Sequence, residues 1–156
     1  MWSLNSVDCN GSNDPSRNNN QHFDVAQDSN YNVYVTVYNA GDQGCVKKYD
    51  RFGNFIRKWG EESDPSNYYK KLMGPKSIDV DASGNVYVIS SNPNYTGYGG
   101  NGGYLKKFNS DGNFIGQWFL PFINYGSQSA VSVNKENGDV YILSRGTKRV
   151  YRLSLN

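Results

Sequence analysis

The groups in this chain that could do chemistry are few and scattered. The sole histidine is His22, and the two cysteines, Cys9 and Cys45, form no C-x-x-C pair of the kind that holds a metal or a redox disulfide. They read as separate thiols or as a bridge, which an oxidising compartment would allow. Asp24, Asp28, Asp79 and Asp81 could approach one another through neighbouring strands. Metal-assisted lysis or hydrolysis needs several convergent ligands with an acid or base, and the aspartates take different strand positions in successive segments. The run Asp79-Val-Asp81-Ala-Ser83-Gly84 opens like a calcium-binding helix–loop–helix loop, but Ser90 stands where that loop needs a bidentate carboxylate. We read it as a turn. No Gly-rich phosphate loop and no Ser/His/Asp set is visible. No catalytic residue, metal or cofactor is expected.

What remains is recognition chemistry. Tyr68, Tyr69, Lys70, Lys71, Asn92, Asn94, Tyr95, Tyr98 and Tyr125 lie in Gly- and Asn-rich stretches. Tyr and Asn on loops make an adaptable contact surface. Lys47, Lys48, Lys106, Lys107, Arg149 and Arg152 recur at matching places and could hold RNA. The competing reading is that they guard an outer strand against edge pairing.

The elements that would carry these residues repeat. Asn32-Val-Tyr-Val35 returns as Asn85-Val-Tyr-Val88, 53 residues on, and as Asp139-Val-Tyr-Ile142, 54 further. Val46-Lys-Lys-Tyr-Asp-Arg-Phe-Gly-Asn-Phe-Ile56 returns as Leu105-Lys-Lys-Phe-Asn-Ser-Asp-Gly-Asn-Phe-Ile115, and in shortened form from Val150. Each copy reads as four short strands, A to D. Strand A covers 25–28, 78–81 and 131–134, and strand B covers 33–38, 86–90 and 140–144. Strand C covers 46–49, 105–108 and 150–153, and strand D covers 55–59 and 114–118. Strand B alternates with period two, as in Val33, Val35 and Val37 against Tyr34, Thr36 and Tyr38. Both sets are bulky, so both faces of each sheet are expected to be covered. Gln27 replaces Val80 and Val133 in the first copy and weakens its strand A. Met1-Trp-Ser-Leu4 matches Gln117-Trp-Phe-Leu120, so the chain opens on a strand D, and the third copy stops before its own.

The wording Gly-Pro-x-x-Ile-x-Val-Asp-x-x-Gly-Asn-Val-Tyr-Val, then Leu-Lys-Lys-Phe-x-x-x-Gly-Asn-Phe-Ile-x-x-Trp, resembles the NHL repeat over nearly the whole chain. The resemblance implies an all-β β-propeller of four-stranded antiparallel blades: blade 1 at about 22–60, blade 2 at about 74–119, and blade 3 at about 127–156, completed by a strand equivalent to 1–4. It implies a non-enzymatic scaffold for a protein, peptide or glycan, with an RNA-binding propeller and a lyase- or lactonase-like enzyme as alternatives. Family members often carry Asp at the end of strand B, where this chain has Val37, Ser90 and Ser144. Three blades make an open arc. Self-association is therefore expected, two chains giving six blades, unless the remainder of a longer propeller closes the arc.

Topology sorts the connections. The short A–B and C–D turns lie at one end of each sheet. The long stretches Ser3–Gln21, Tyr38–Gly44, Glu61–Met73, Ser91–Gly103 and Leu120–Gln128 lie at the other, and binding is expected there. Cys9 and Cys45 fall at that same end of blade 1, so a bridge between them is geometrically allowed.

Composition sets outer limits. Sixteen basic against 14 acidic residues give a net charge of +2, too small for a global field that captures nucleic acid. A mean hydropathy of −0.74 is low, and 13 Tyr supply apolar area that keeps a polar tip. No run of eighteen apolar residues could span a membrane as a helix. The first residues lack the basic and apolar regions of a signal peptide. That leaves a cytoplasmic protein, an extracellular one if the chain is already processed, or a piece of something longer.

Overall fold

The computed structural model describes residues 9, 21–39, 43–61, 65–91, 101–124 and 129–155. Among these the chain is all β, with three antiparallel sheets built in sequence order. Sheet 1 holds β1 (Gln21–Gln27), β2 (Val33–Asn39), β3 (Gln43–Tyr49) and β4 (Phe55–Trp59), with the two-residue β5 (Leu72–Met73) added to β3. Sheet 2 holds β6 (Ser77–Val80), β7 (Val86–Ser91), β8 (Asn101–Phe108) and β9 (Phe114–Asn124). Sheet 3 holds β10 (Ser129–Val133), β11 (Val140–Ser144) and β12 (Arg149–Leu153). A short 3-10 segment, Pro65–Lys70, precedes β5.

One local device makes the short turns. In Asp81-Ala-Ser-Gly-Asn85, Asp81 Oδ1 accepts the N–H groups of Ser83 and Asn85, and Oδ2 accepts the Asn85 amide and the Tyr87 hydroxyl. Asp28 does the same for Asn30, Asn32 and Tyr34. Asp50 and Asn109 build the C–D turns in this way. The residue before each closing Asn needs positive φ, which Gly53, Gly84 and Gly112 adopt freely. The first turn puts Tyr31 there, at φ 64.

The sheets pack face to face, with β1, β6 and β10 side by side. The core between sheets 1 and 2 centres on Tyr34, Val46 and Leu72 against Ile78, Val88 and Phe108. That between sheets 2 and 3 centres on Ile89, Leu105 and Leu120 against Val131, Val140 and Ile142. All six residues of β7 are buried, as expected for a strand covered on both faces. A polar relay runs across the three inner strands. Ser77 Oγ donates to Asp24 Oδ2 at 2.7 Å and accepts the Val131 N–H at 3.1 Å. Asp24 Oδ2 also accepts the Ile78 N–H, and Asp79 Oδ2 accepts the Val133 N–H at 2.7 Å. These aspartates therefore join sheets.

At the opposite end from the short turns, each sheet receives the incoming connection at the end of strand B. Ser90 Oγ bonds both the N–H and the carbonyl of Met73, and Ser144 Oγ donates to the Phe122 carbonyl. In sheet 1 the matching residue is Val37, whose carbonyl faces Cys9 Sγ at 3.8 Å. Cys9 is joined by a disulfide to Cys45, the cross-strand partner of Val37. A covalent bond thus does in sheet 1 what a serine hydroxyl does in the other two.

Two expectations need correction. The stretches 91–103, 120–128 and 61–73 are not wholly loop: Asn101 to Gly103 extend β8, Leu120 to Asn124 extend β9, and Leu72–Met73 form β5. Leu72, Leu120 and Ile123 are buried apolar residues, so pairing continues where it covers them. The strand C lysines of sheets 1 and 2 do not guard an outer edge, because β3 and β8 each lie between two neighbours. Lys47 and Lys106 are 1% exposed and Lys48 8%, which also removes an exposed basic track along these strands. The expected strand at Met1–Leu4 lies outside the described residues.

Candidate functional site

Three aromatic pairs stand at the connection end, one for each sheet. On sheet 1, Phe23 meets Tyr38 edge to face, with ring centres 5.9 Å apart. On sheet 2, Tyr104 and Phe119 lie 5.5 Å apart. Beside sheet 3, Phe122 from the β9 extension stacks on Tyr151 at 3.6 Å, and the Tyr151 hydroxyl donates to Thr147 Oγ1. Phe23 is 49% exposed and Phe119 52%, although burial would favour both.

Backbone irregularities place the two exposed rings. The β1–β2 register shifts between His22 and Asp24, so Phe23 is the extra residue of a bulge. Thr36 Oγ1 holds the bulge by accepting the Asp24 N–H and donating to the Asp24 carbonyl. The β8–β9 register shifts between Asn101 and Gly103. Gly102 adopts φ 103, and a Cβ there would lie 2.5 Å from the Phe119 ring. Bulges of this kind re-aim side chains at binding sites. The surface can stack a flat ring or an apolar side chain, and its edges offer Tyr hydroxyls.

The residues expected at this end are only partly in view. Asn92, Asn94, Tyr95, Tyr98 and Tyr125 lie outside the described residues, as does the side chain of Tyr68. Tyr69 is 42% exposed but packs on Phe114, the first residue of β9, at 4.9 Å. Since Phe114 follows a short turn, Tyr69 sits beside sheet 2 rather than among the long connections. Lys70 lies over the Tyr69 ring at 5.6 Å. The segment is clamped from below: Lys106 Nζ donates to the carbonyls of Tyr69 and Lys71 at 2.7 and 2.6 Å. Burial pulls the Lys106 ammonium down to about 8.

Sequence reading did not single out Phe23, Tyr38, Tyr104, Phe119, Phe122 or Tyr151: four of them lie outside the strands it drew, and Phe122 lies in a stretch it read as loop. A sequence signal for one pair was the Gly102-Gly103 doublet at the head of strand C, since Gly within a strand marks a bulge or close approach.

Two other places are spoken for. A cleft of about 260 Å³ at the short-turn end is lined by Asp28, Asn30, Asn32, Lys48, Ser83 and Ser110 among others. Lys48 Nζ there donates to the Ser110 carbonyl at 2.9 Å. Burial alone would raise the Asp28 carboxyl, but hydrogen bonds from Asn32, Tyr34 and Asn30 outweigh it and hold the group below the usual range. Among the described residues, Cys9, Cys45 and Glu61 bring their ligand atoms within 4.8 Å of one another, and the two sulfurs are already bonded together.

No family model matches the chain. No curated protein matches it either. Among solved structures it is similar to a protein of unknown function from Bacteroides caccae, with a TM-score of 0.50 and 10% identity over 89% of this chain. The chain spans 47% of that structure's length. At this identity the likeness speaks for the fold alone.

Proposed function

We propose that the three sheets are blades of an NHL-like β-propeller segment. In this reading the segment is a non-catalytic scaffold that binds a peptide, protein or glycan at its connection end. The blade reading draws support from sequential antiparallel sheets with side-by-side inner strands, and from cross-strand pairs that recur at the repeat spacing. The observation that carries the binding reading is the half exposure of Phe23 and Phe119 on bulged backbone. A fold gains nothing in stability by holding large rings in water, whereas a ligand that covers them does. Tyr38 and Tyr104, each beside one of those rings, add rigid amphipathic contact with few torsions to freeze.

The test is binding of the purified chain to peptide and glycan arrays, repeated with Phe23→Ala and Phe119→Ala. Both rings are half in solvent, so each variant should keep the wild-type circular dichroism spectrum. Each is expected to lose at least about tenfold in affinity for any ligand found, the scale of one aromatic contact. Ligand binding unchanged in both variants would place the site elsewhere.

A further inference from the structure

We infer that β9 is an open edge at which two copies of this chain pair antiparallel, joining their second sheets into one. The strands farthest from the inner ones are β4, β9 and β12, one for each sheet. A bare edge invites pairing, and charged side chains are a common guard. β4 carries Arg57 and Lys58, and β12 carries Arg149 and Arg152. Arg57 is also tied to the carbonyl and the carboxylate of Asp111 in the neighbouring sheet. β9 runs for 11 residues without a charge. Ile115 and Phe119 on it are half exposed, with exposed Gln117 between them.

The turn before β9 fixes which of its backbone groups are open. Asn109 donates its N–H to the Asn113 carbonyl. Counting back by twos, Lys107, Leu105 and Gly103 also point their N–H and C=O groups at β9. Their partners are Gly116, Trp118 and Leu120. Gln117 and Phe119 therefore turn their N–H and C=O groups outward, and among the described residues β8 alone pairs with β9. Pro121 takes the next outward position, has no N–H, and ends the stretch.

A second copy fits this edge. Set antiparallel about Gln117, β9 places Phe119 opposite the partner's Ile115 and Trp118 opposite the partner's Gly116. The first is an aromatic–β-branched pair of the kind that stabilises sheets, and the second gives a large ring a neighbour with no side chain. The two Gln117 backbones exchange both hydrogen bonds at the two-fold axis. The same patch serves both copies, as an isologous contact requires. Side chains paired across strands stand side by side, so Phe119 keeps its outer face open. The pairing uses an internal strand and depends on neither the blade reading nor the ligand reading.

Sedimentation velocity of the full chain tests the pairing, and wild type should run as a dimer. Gln117→Pro removes an outward N–H that β9 does not use within one copy, so the circular dichroism spectrum should stay unchanged. It deletes one bond on each side of the axis, and the dimer dissociation constant should rise about hundredfold, at about tenfold per bond. Gln117→Ala keeps the N–H and should keep the dimer. Gln117→Cys reads the register independently of whether the proline variant folds. Its paired Cα atoms, about 5.5 Å apart, suit a disulfide. Mild oxidation should therefore give a covalent dimer on a non-reducing gel, whereas Ser83→Cys, on an exposed turn, should give none. A monomeric wild type overturns the proposal, including one that takes up an extended peptide along β9 instead. So does a Gln117→Pro dimer of undiminished affinity, or a Gln117→Cys variant that forms no covalent dimer.

Discussion

Replacing Ser77 by alanine removes one oxygen that touches all three sheets. Ser77 Oγ donates to the Asp24 carboxylate at 2.7 Å and accepts the Val131 N–H at 3.1 Å, in a residue that is 3% exposed. Alanine leaves the Val131 N–H buried with no acceptor, a cost of about 1–3 kcal/mol, and removes a charge-assisted hydrogen bond worth about 1.5–3 kcal/mol. Asp24 keeps the Ile78 N–H and is only half-buried, so water replaces part of the second term. The expected loss is about 3 kcal/mol. For a chain of 156 residues, at about 2–4 °C per kcal/mol, Tm should fall by about 6–12 °C. Urea titration with an unchanged m-value measures the loss directly, and faster hydrogen exchange at the Val131 amide locates it. Ser83→Ala, on an exposed turn, is the control and should stay within about 0.5 kcal/mol. In a double-mutant cycle with Asp24→Ala, the two changes should couple by about 1 kcal/mol or more. A Ser77→Ala loss below about 0.5 kcal/mol would show that the relay does not hold the sheets together.

Two further outcomes are expected. Tyr31 is 60% exposed and holds φ 64 where the other short turns use Gly; Tyr31→Gly removes a left-handed strain of about 1–2 kcal/mol and adds some unfolded-state entropy, so urea denaturation should show about 0.5–1 kcal/mol of gain. Lys106 keeps its proton less well folded, at about 8, than unfolded, at 10.5, so the unfolded chain binds more protons between those values and stability should rise with pH there. Lys76 is shifted in the same direction by burial. Burial pushes the Tyr34 and Tyr87 hydroxyls above their ordinary 10.0, so stability present below pH 10 is lost above it. The urea midpoint at pH 9.5 should therefore exceed that at pH 7.5, and Lys106→Met should flatten the rise; a steady fall across this interval in wild type contradicts the assignment.

Much of the fold is legible in the residues because its devices are local. Asp81 and Asn85 close their turn with bonds inside five residues, Gly84 supplies the backbone sign, and the two-residue alternation of β2 marks its faces. Strand B of the third sheet runs from Val140 to Ser144, and strand D of the first from Phe55 to Trp59, both as the repeat indicates. Strand extensions were hidden because Gly102, Gly103 and Pro121 look like loop residues, while the apolar cover that keeps them paired comes from elsewhere in the chain.

Neighbourhood was decided only in three dimensions. Val25 and Val131 are the same residue at the same repeat position, yet one is 61% exposed and the other 7%, because only the second has a sheet in front of it. Lys106 reads as a surface charge and is buried, because two carbonyls from a segment 35 and 37 residues away accept its protons. Ser77 and Asp24 look like ordinary strand ends until the inner strands lie side by side. The sequence by itself determined strand, turn and repeat, since these depend on side chains within a few positions of one another. Tertiary structure decided which faces are covered, which lysines are spent and which aromatic rings stand free, since those depend on what another part of the chain places opposite.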